Sequence, residues 1–368
     1  MSLVIIFTGC NIFDNNNKNI PEDLFKLLWA YPLSTYSWGP NLPPTVLSDS
    51  LLVWASDEGL NCISLSSGNE KWKRVISNNR ATNAYNLAHY GSWIYFYLRG
   101  DGIYSLDLNT GENQWHYGIG DTTRFCKFQA ATTQGYFVSI EENERDYFVL
   151  ALDQAGNLNY KLPLNGCGWS VWENSGKLYV ARGWLPTSDG VGNIISYDEN
   201  TKETSWVYNS TGGAFAVASL IFENDILYAG TVWGGSLGNE VVALDAGTGE
   251  KLWSTDSYGV YQVVLAGDVL YCNLGGGVLA LDKTTGARLW ETHLPVADEN
   301  SALAYWDGYL YNSVSGGLYI FDAGTGEVVH KTLGPDNAYI YQVSAGAGKI
   351  FVQSSRHLYA FAPYEPGR

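Results

Sequence analysis

At 368 residues with 46% apolar side chains, 14% aromatics and 41 glycines, the chain has the make-up of many short strands joined by tight turns, and disorder is excluded. Charged residues are only 16% of the chain and balance at −16, which disfavours duplex DNA or an anionic lipid surface as the main partner. The five cysteines (Cys10, Cys62, Cys126, Cys167, Cys272) form no CxxC and no zinc-like spacing with histidine.

The chain opens on a short apolar run, Val4 to Phe7, followed by Thr8-Gly9-Cys10. Residues 1–10 resemble the end of a bacterial lipoprotein signal, which makes Cys10 the lipidated residue. Residues 11–23 are polar and Asn-rich. They lack the glycine and closing glutamate of a calcium loop and read as a flexible linker. No apolar run is long enough to span a bilayer, so membrane attachment is expected only through the lipid anchor. Residues 24–368 are expected to form one domain.

Within that domain one unit recurs: an apolar strand, a turn, a Tyr/Phe/Val-rich strand, a variable loop, a third strand ending in Leu-Asp, a Gly turn and a strand opened by Trp. The clearest copies are ALDAGTGEKLW at 243–253 and ALDKTTGARLW at 280–290. In the first, Gly247 and Gly249 are expected at positive φ, with Asp245 folded onto the turn. YSLDLNTGENQW at 104–115 lines up with them, as do LALDQAGNLNY at 150–160, ISYDENTKETSW at 195–206 and YIFDAGTGEVVH at 319–330, the first and last of these three with Tyr or His in place of Trp. ISLSSGNEKW at 63–72 reads as a copy two residues shorter in its turn.

The turn aspartates Asp107, Asp153, Asp198, Asp245, Asp282 and Asp322 are spaced by 46, 45, 47, 37 and 40 residues, enough for four strands and their turns. LYAFA at 358–362 ends the chain with no fourth strand after it, while FKLLWAYP at 25–32 places Trp29 where other copies carry Trp253 and Trp290. The expected fold is therefore all-β: an eight-bladed β-propeller of four-stranded antiparallel blades, its ring closed by the N-terminal strand.

The Asp/Gly turn followed by Trp is similar to the repeat of the quinoprotein-dehydrogenase-like propellers, named for pyrroloquinoline quinone (PQQ). The resemblance is carried by Asp107, Asp245 and Asp282 with Trp115, Trp253 and Trp290, and it weakens at Tyr160 and His330. It implies a structural role for the Trp, packed between adjacent blades. A lipoprotein-like start before such a propeller also resembles the BamB-type subunits of outer-membrane β-barrel assembly. Members that oxidise alcohols carry an adjacent Cys-Cys pair and a calcium held by Glu, Asn and Asp. Neither set can be placed here, so no PQQ and no calcium is expected.

No other catalytic signature stands out. The histidines His89, His116, His293, His330 and His357 are scattered, and only His89 lies on an expected innermost strand. Gly275-Gly276-Gly277 and Gly234-Gly235 sit between strands and read as hairpins rather than phosphate cradles. Cys62 and Cys272 read as buried thiols, and pairing of Cys126 with Cys167 stays open. What remains is an asymmetry between the two faces. Arg80, Arg99, Arg124, Arg145, Arg182 and Arg356 fall in or beside the loops opposite the Asp turns, with Trp184 and Trp233 in the longest of them. Lys177, Lys202, Lys283 and Lys349 fall on the turn face. Arg and Trp are enriched at binding hot spots. Acidic neighbours such as Asp101, Glu141 and Asp146 offer ion pairing as the alternative account.

The expected function is a non-catalytic scaffold lipoprotein of the bacterial cell envelope that binds a protein partner or an extended polymer, as a monomer or a subunit of a hetero-complex. The alternatives are a periplasmic quinone enzyme and a carbohydrate-binding surface protein using Trp38, Trp169, Trp184 and Trp233.

Overall fold

The computed structural model describes residues 25–366, apart from 34–43, 49–50, 57–58, 76–83, 99–100, 120–129, 143–145, 165, 184–192, 211–215, 233–237, 299–300 and 336. Among the described residues thirty-two strands form eight blades, spanning 45–75, 84–118, 130–164, 167–209, 216–257, 262–293, 302–332 and, for blade 8, 340–361 together with 27–32. Within each blade the strands are antiparallel and follow chain order. Blades 4 and 5 are also joined by one pairing of Gly183 with Ala216. First strands of neighbouring blades pack on one another around the axis, so the fourth strand is outermost.

Burial follows from this order. Third strands such as Gly277–Asp282 are buried until the closing aspartate, because blades cover them on both faces. Outer strands such as Asn113–Gly118 and Thr204–Asn209 alternate between half-buried and exposed residues, as strands covered on one face do. The core is not one mass but a series of clusters, most of them between neighbouring blades.

Ring closure is as the sequence implies. Leu27–Pro32 pairs with His357–Phe361 and supplies the outer strand of blade 8, with Trp29 opposite Ala360 just as Trp253 lies opposite Ala243. The Ala362 amide donates to the Lys26 carbonyl at 2.9 Å, the bond that Asp245 and Glu250 make across a covalent turn.

One expectation is corrected. The turn of blade 1 is not shortened: Ser64, not Ser66, holds the aspartate position. Its amide donates to Asn69 O and its carbonyl accepts from Gly68, matching Asp107 with Glu112 and Gly111. Blade 3 has the short turn, Gly156 donating to Asp153.

Candidate functional site

Every blade carries the same corner between its third and fourth strands. The outer strand has a bulge there, leaving one residue unpaired: Lys71, Gln114, Asn159, Ser205, Leu252, Leu289, Val329 and, at the closure, Leu28. A bulge locally redirects a strand. Here it turns the following residue toward the next blade, while bulged leucines such as Leu252 and Leu289 stay about half exposed.

The turn is closed by its acid. Asp282 Oδ1 accepts from the amides of Thr284 (3.1 Å) and Thr285 (2.8 Å) and from the Thr285 hydroxyl (2.8 Å). Asp107 and Asp322 repeat the set with Thr110 and Thr325. These bonds hold the carboxyls of Asp245 and Asp282 below the usual range, the threonine side-chain bond contributing most. Of the two glycines expected at positive φ, only Gly249 has it (+74°). Gly247 does not, which is why Asn109, Ala155 and Thr284 serve at its position.

At six of the eight joints a tryptophan latches one blade to the next. Its indole N–H donates to the carbonyl after the acid position, and its ring lies on the turn glycine. The pairs are Trp29 to Leu65 (2.9 Å), Trp72 to Leu108 (2.8 Å), Trp115 to Gln154 (2.8 Å), Trp206 to Ala246 (3.0 Å), Trp253 to Lys283 (3.0 Å) and Trp290 to Ala323 (3.0 Å). A Cβ on Gly249 would meet the Trp206 ring at 2.5 Å. Second-strand tyrosines reinforce the latch: Tyr179 and Tyr271 donate to the same Ala246 and Ala323 carbonyls. The sequence reading passed over these tyrosines, although the recurring Leu-Tyr and Ile-Tyr pairs were there to find.

Two joints differ. Between blades 3 and 4, Tyr160 replaces Trp and its hydroxyl donates to Glu199 Oε2 at 2.9 Å. The turn glycine is replaced too: Lys202 stands at φ +60° with its Nζ 3.5 Å above the Tyr160 ring. Burial raises the Glu199 carboxyl, whose Oε1 is buried without a hydrogen-bond partner. A cleft of about 330 Å³ opens beside them. Between blades 7 and 8, His330 replaces Trp and its ring faces Phe25 and Tyr364 at the junction of the chain's two ends.

The Asp and Trp corners are thus architectural. Of the opposite face, Arg80, Arg99, Arg124, Arg145, Trp184 and Trp233 lie outside the described residues, as do Cys10, Trp38 and Cys126. Arg356 is exposed, in the turn between the second and third strands of blade 8. Arg182 is only 6% exposed and its Nε donates to Asn193 Oδ1 at 2.6 Å; Asn193 in turn donates to Asn209 at 3.4 Å. It braces three strands of blade 4 rather than reaching outward. Trp169 is half-buried beside Val232. Cys62 and Cys272 are fully buried, and burial raises both thiols, Cys62 to about 12.

The glycine run of blade 6 is a hairpin, with Gly275 at φ +75°. Gly275 O accepts from the Asp298 amide, and the Asp298 carboxylate accepts from the Tyr339 hydroxyl at 3.0 Å and the Ser315 amide at 3.2 Å, bracing blades 6 to 8. His89 lies on the first strand of blade 2, and burial lowers its pKa. Among the described residues no three His, Cys, Asp or Glu side chains come together as a metal site, and no helix is long and apolar enough to cross a membrane.

Solved structures share the architecture. BamB from Moraxella catarrhalis aligns with a TM-score of 0.69 at 15% identity, over 92% of this chain and 99% of that one. A europium-containing methanol dehydrogenase aligns at 0.71 and 12% identity, over 92% and 93%. The C-terminal WD40 domain of Sif2 aligns at 0.70 and 14% identity, over 94% and 99%. At such identities the likeness is one of fold. No curated protein sequence matches the chain. The profile of one protein family, described as outer membrane protein assembly factor BamB, matches residues 149–365, from the third strand of blade 3 through blade 8. Its repeat, its closed eight-bladed ring and this match over more than half its length together show that the chain belongs to the BamB family of PQQ-like propellers.

Proposed function

We propose that this chain is a non-catalytic scaffold of the bacterial cell envelope that serves outer-membrane protein assembly. A lipid on Cys10 holds it at the membrane, and one loop-rich face of the propeller takes a protein partner within a hetero-complex. Membership of the assembly-factor family is the observation that carries this reading. The use of the recurring Asp, Thr, Gly and Trp side chains inside the corners supports it, because recognition is then left to the opposite face. That face is assigned to Arg80, Arg99, Arg124, Arg145, Trp184, Trp233 and Arg356, with Arg182 as an internal brace. Arginine and tryptophan are residue types that suit a hot spot for an extended peptide or a strand edge. No PQQ or calcium has a part in this reading.

The test is affinity capture of the lipidated full-length chain from bacterial envelopes, beside a variant with Arg99, Arg145, Trp184, Trp233 and Arg356 changed to Ala. Capture of outer-membrane assembly components by the wild type, lost in the variant at an unchanged melting temperature, is expected. Undiminished capture would sink the face assignment, and the absence of any assembly component would sink the function. A new absorbance band on adding PQQ and calcium would favour the enzyme instead.

A further inference from the structure

At the rim of the propeller the outer strands Lys251–Ser257 of blade 5 and Arg288–His293 of blade 6 leave a cleft of about 460 Å³ between them. Four residues beyond the latch position, Leu33, Ile119, Leu164 and Leu294 pack into hydrophobic clusters, whereas blade 4 has Ser210 and blade 7 Gly334. Blade 5 has Ser257 there, its hydroxyl buried with no hydrogen-bond partner. The plug is missing, and the gap is lined by polar groups.

Those groups are already fixed in place. The Glu291 carboxylate accepts from the Arg288 guanidinium, and His293 Nε2 lies 2.9 Å from its other oxygen. Arg288 also donates to the Asp256 carbonyl, tying the two blades together. Tyr258 is 78% exposed, the most open large hydrophobic side chain among the described residues, and its ring meets His293 at 5.5 Å and 77°. Asp256 adds a second, exposed carboxylate.

This set of groups selects its ligand by exclusion. An anion would face two carboxylates, with the one guanidinium already engaged. An apolar ligand would strip water from Asp256 and Glu291 and return nothing. A metal lacks a third ligand among the described residues. A neutral ring with hydroxyls on its edge and a flat C–H face satisfies every wall: the face stacks on Tyr258, and the hydroxyls donate to Asp256 and Glu291 and bond to the imidazole of His293. We infer that this rim cleft is a carbohydrate subsite for one hexopyranose unit. It goes beyond the scaffold reading and uses none of the arginine-bearing loops, so either can fail without the other.

The test is a titration of isotope-labelled full-length protein with cellobiose, maltose and N,N′-diacetylchitobiose, followed by amide NMR. Saturable shifts at Tyr258, Arg288 and His293 with at least one sugar are expected. Tyr258→Ala should weaken the affinity about tenfold or more. Ser257→Leu, which restores the plug, should abolish binding while leaving the melting temperature at or above that of the wild type. No saturable shift with any of the three sugars overturns the assignment, as does binding that survives both variants. Shifts with a tyrosine-rich peptide but with no sugar would likewise overturn it, in favour of a protein ligand.

Discussion

Gly247 and Gly249 stand two residues apart in one turn and carry opposite burdens. Gly249 has positive φ and lies beneath the Trp206 ring, so Gly249→Ala combines a strained backbone with an overpacked contact. The expected cost is about 2–4 kcal/mol by urea unfolding. Gly247→Ala should change stability by less than about 1 kcal/mol, since an ordinary surface position tolerates a methyl group and Ala155 already holds it in blade 3. Asp245 and Asp282 set a pH dependence of known sign. Their carboxyls titrate below the unfolded value in the folded chain, so their contribution is present above that value and fades as pH falls through the folded one. Asp282→Asn should therefore lower the melting temperature at pH 7 while narrowing its difference between pH 7 and pH 3, read by circular dichroism.

The element that matters is the corner, a bulge, a turn and a latch acting together. Trp253→Ala should cost about 3–5 kcal/mol, and Trp253→Phe, which keeps most of the ring but loses the indole bond, about 1 kcal/mol. The joint between blades 3 and 4 shows that latch and turn residue are chosen as a pair, since a side chain at Lys202 occupies the space an indole needs at Tyr160. Lys202→Gly with Tyr160→Trp should rebuild the common latch. In a double-mutant cycle the two changes are expected to couple favourably by about 1–2 kcal/mol, and strict additivity would refute the pairing.

How much of this could be read in advance follows from the same corner. Asp, Gly and Trp at fixed spacing are a local signal, so blade count and latch were legible. The acid position of blade 1 was not, because Ser64 keeps the backbone bonds of the turn without the carboxylate that marks it. Arg182 was misjudged for a different reason. Its position beside a loop says nothing of Asn193 and Asn209 on neighbouring strands, and those partners hold it buried. Likewise the rim cleft joins residues 256–258 of one blade to Arg288, Glu291 and His293 of the next, a juxtaposition that spacing along the chain does not display.

At the scale of the molecule the weak point is the last joint. His330 sits where a tryptophan would hold blade 7 to blade 8, and burial lowers its pKa, with Nδ1 buried and unpartnered. A histidine depressed in the folded state contributes fully above its unfolded value of 6.5 and less as pH falls through the folded value. Between pH 7.5 and pH 5 the chain should lose stability that His330→Phe retains, and hydrogen exchange should place the loss at 27–32 and 357–361.

The bond between Ala362 and Lys26 also sets an order in time. The strand at 27–32 leaves the ribosome well before its ladder partner at 357–361. At the usual pace of about 5–20 residues per second, the early strand waits roughly 20–70 s with Leu27 and Leu28 uncovered and its edge unpaired. A chain halted at residue 339 would hold seven built blades and an open ring. Completion of the propeller therefore waits on residues 357–361: the earlier-made strand has to be kept from other edges until the later-made one arrives.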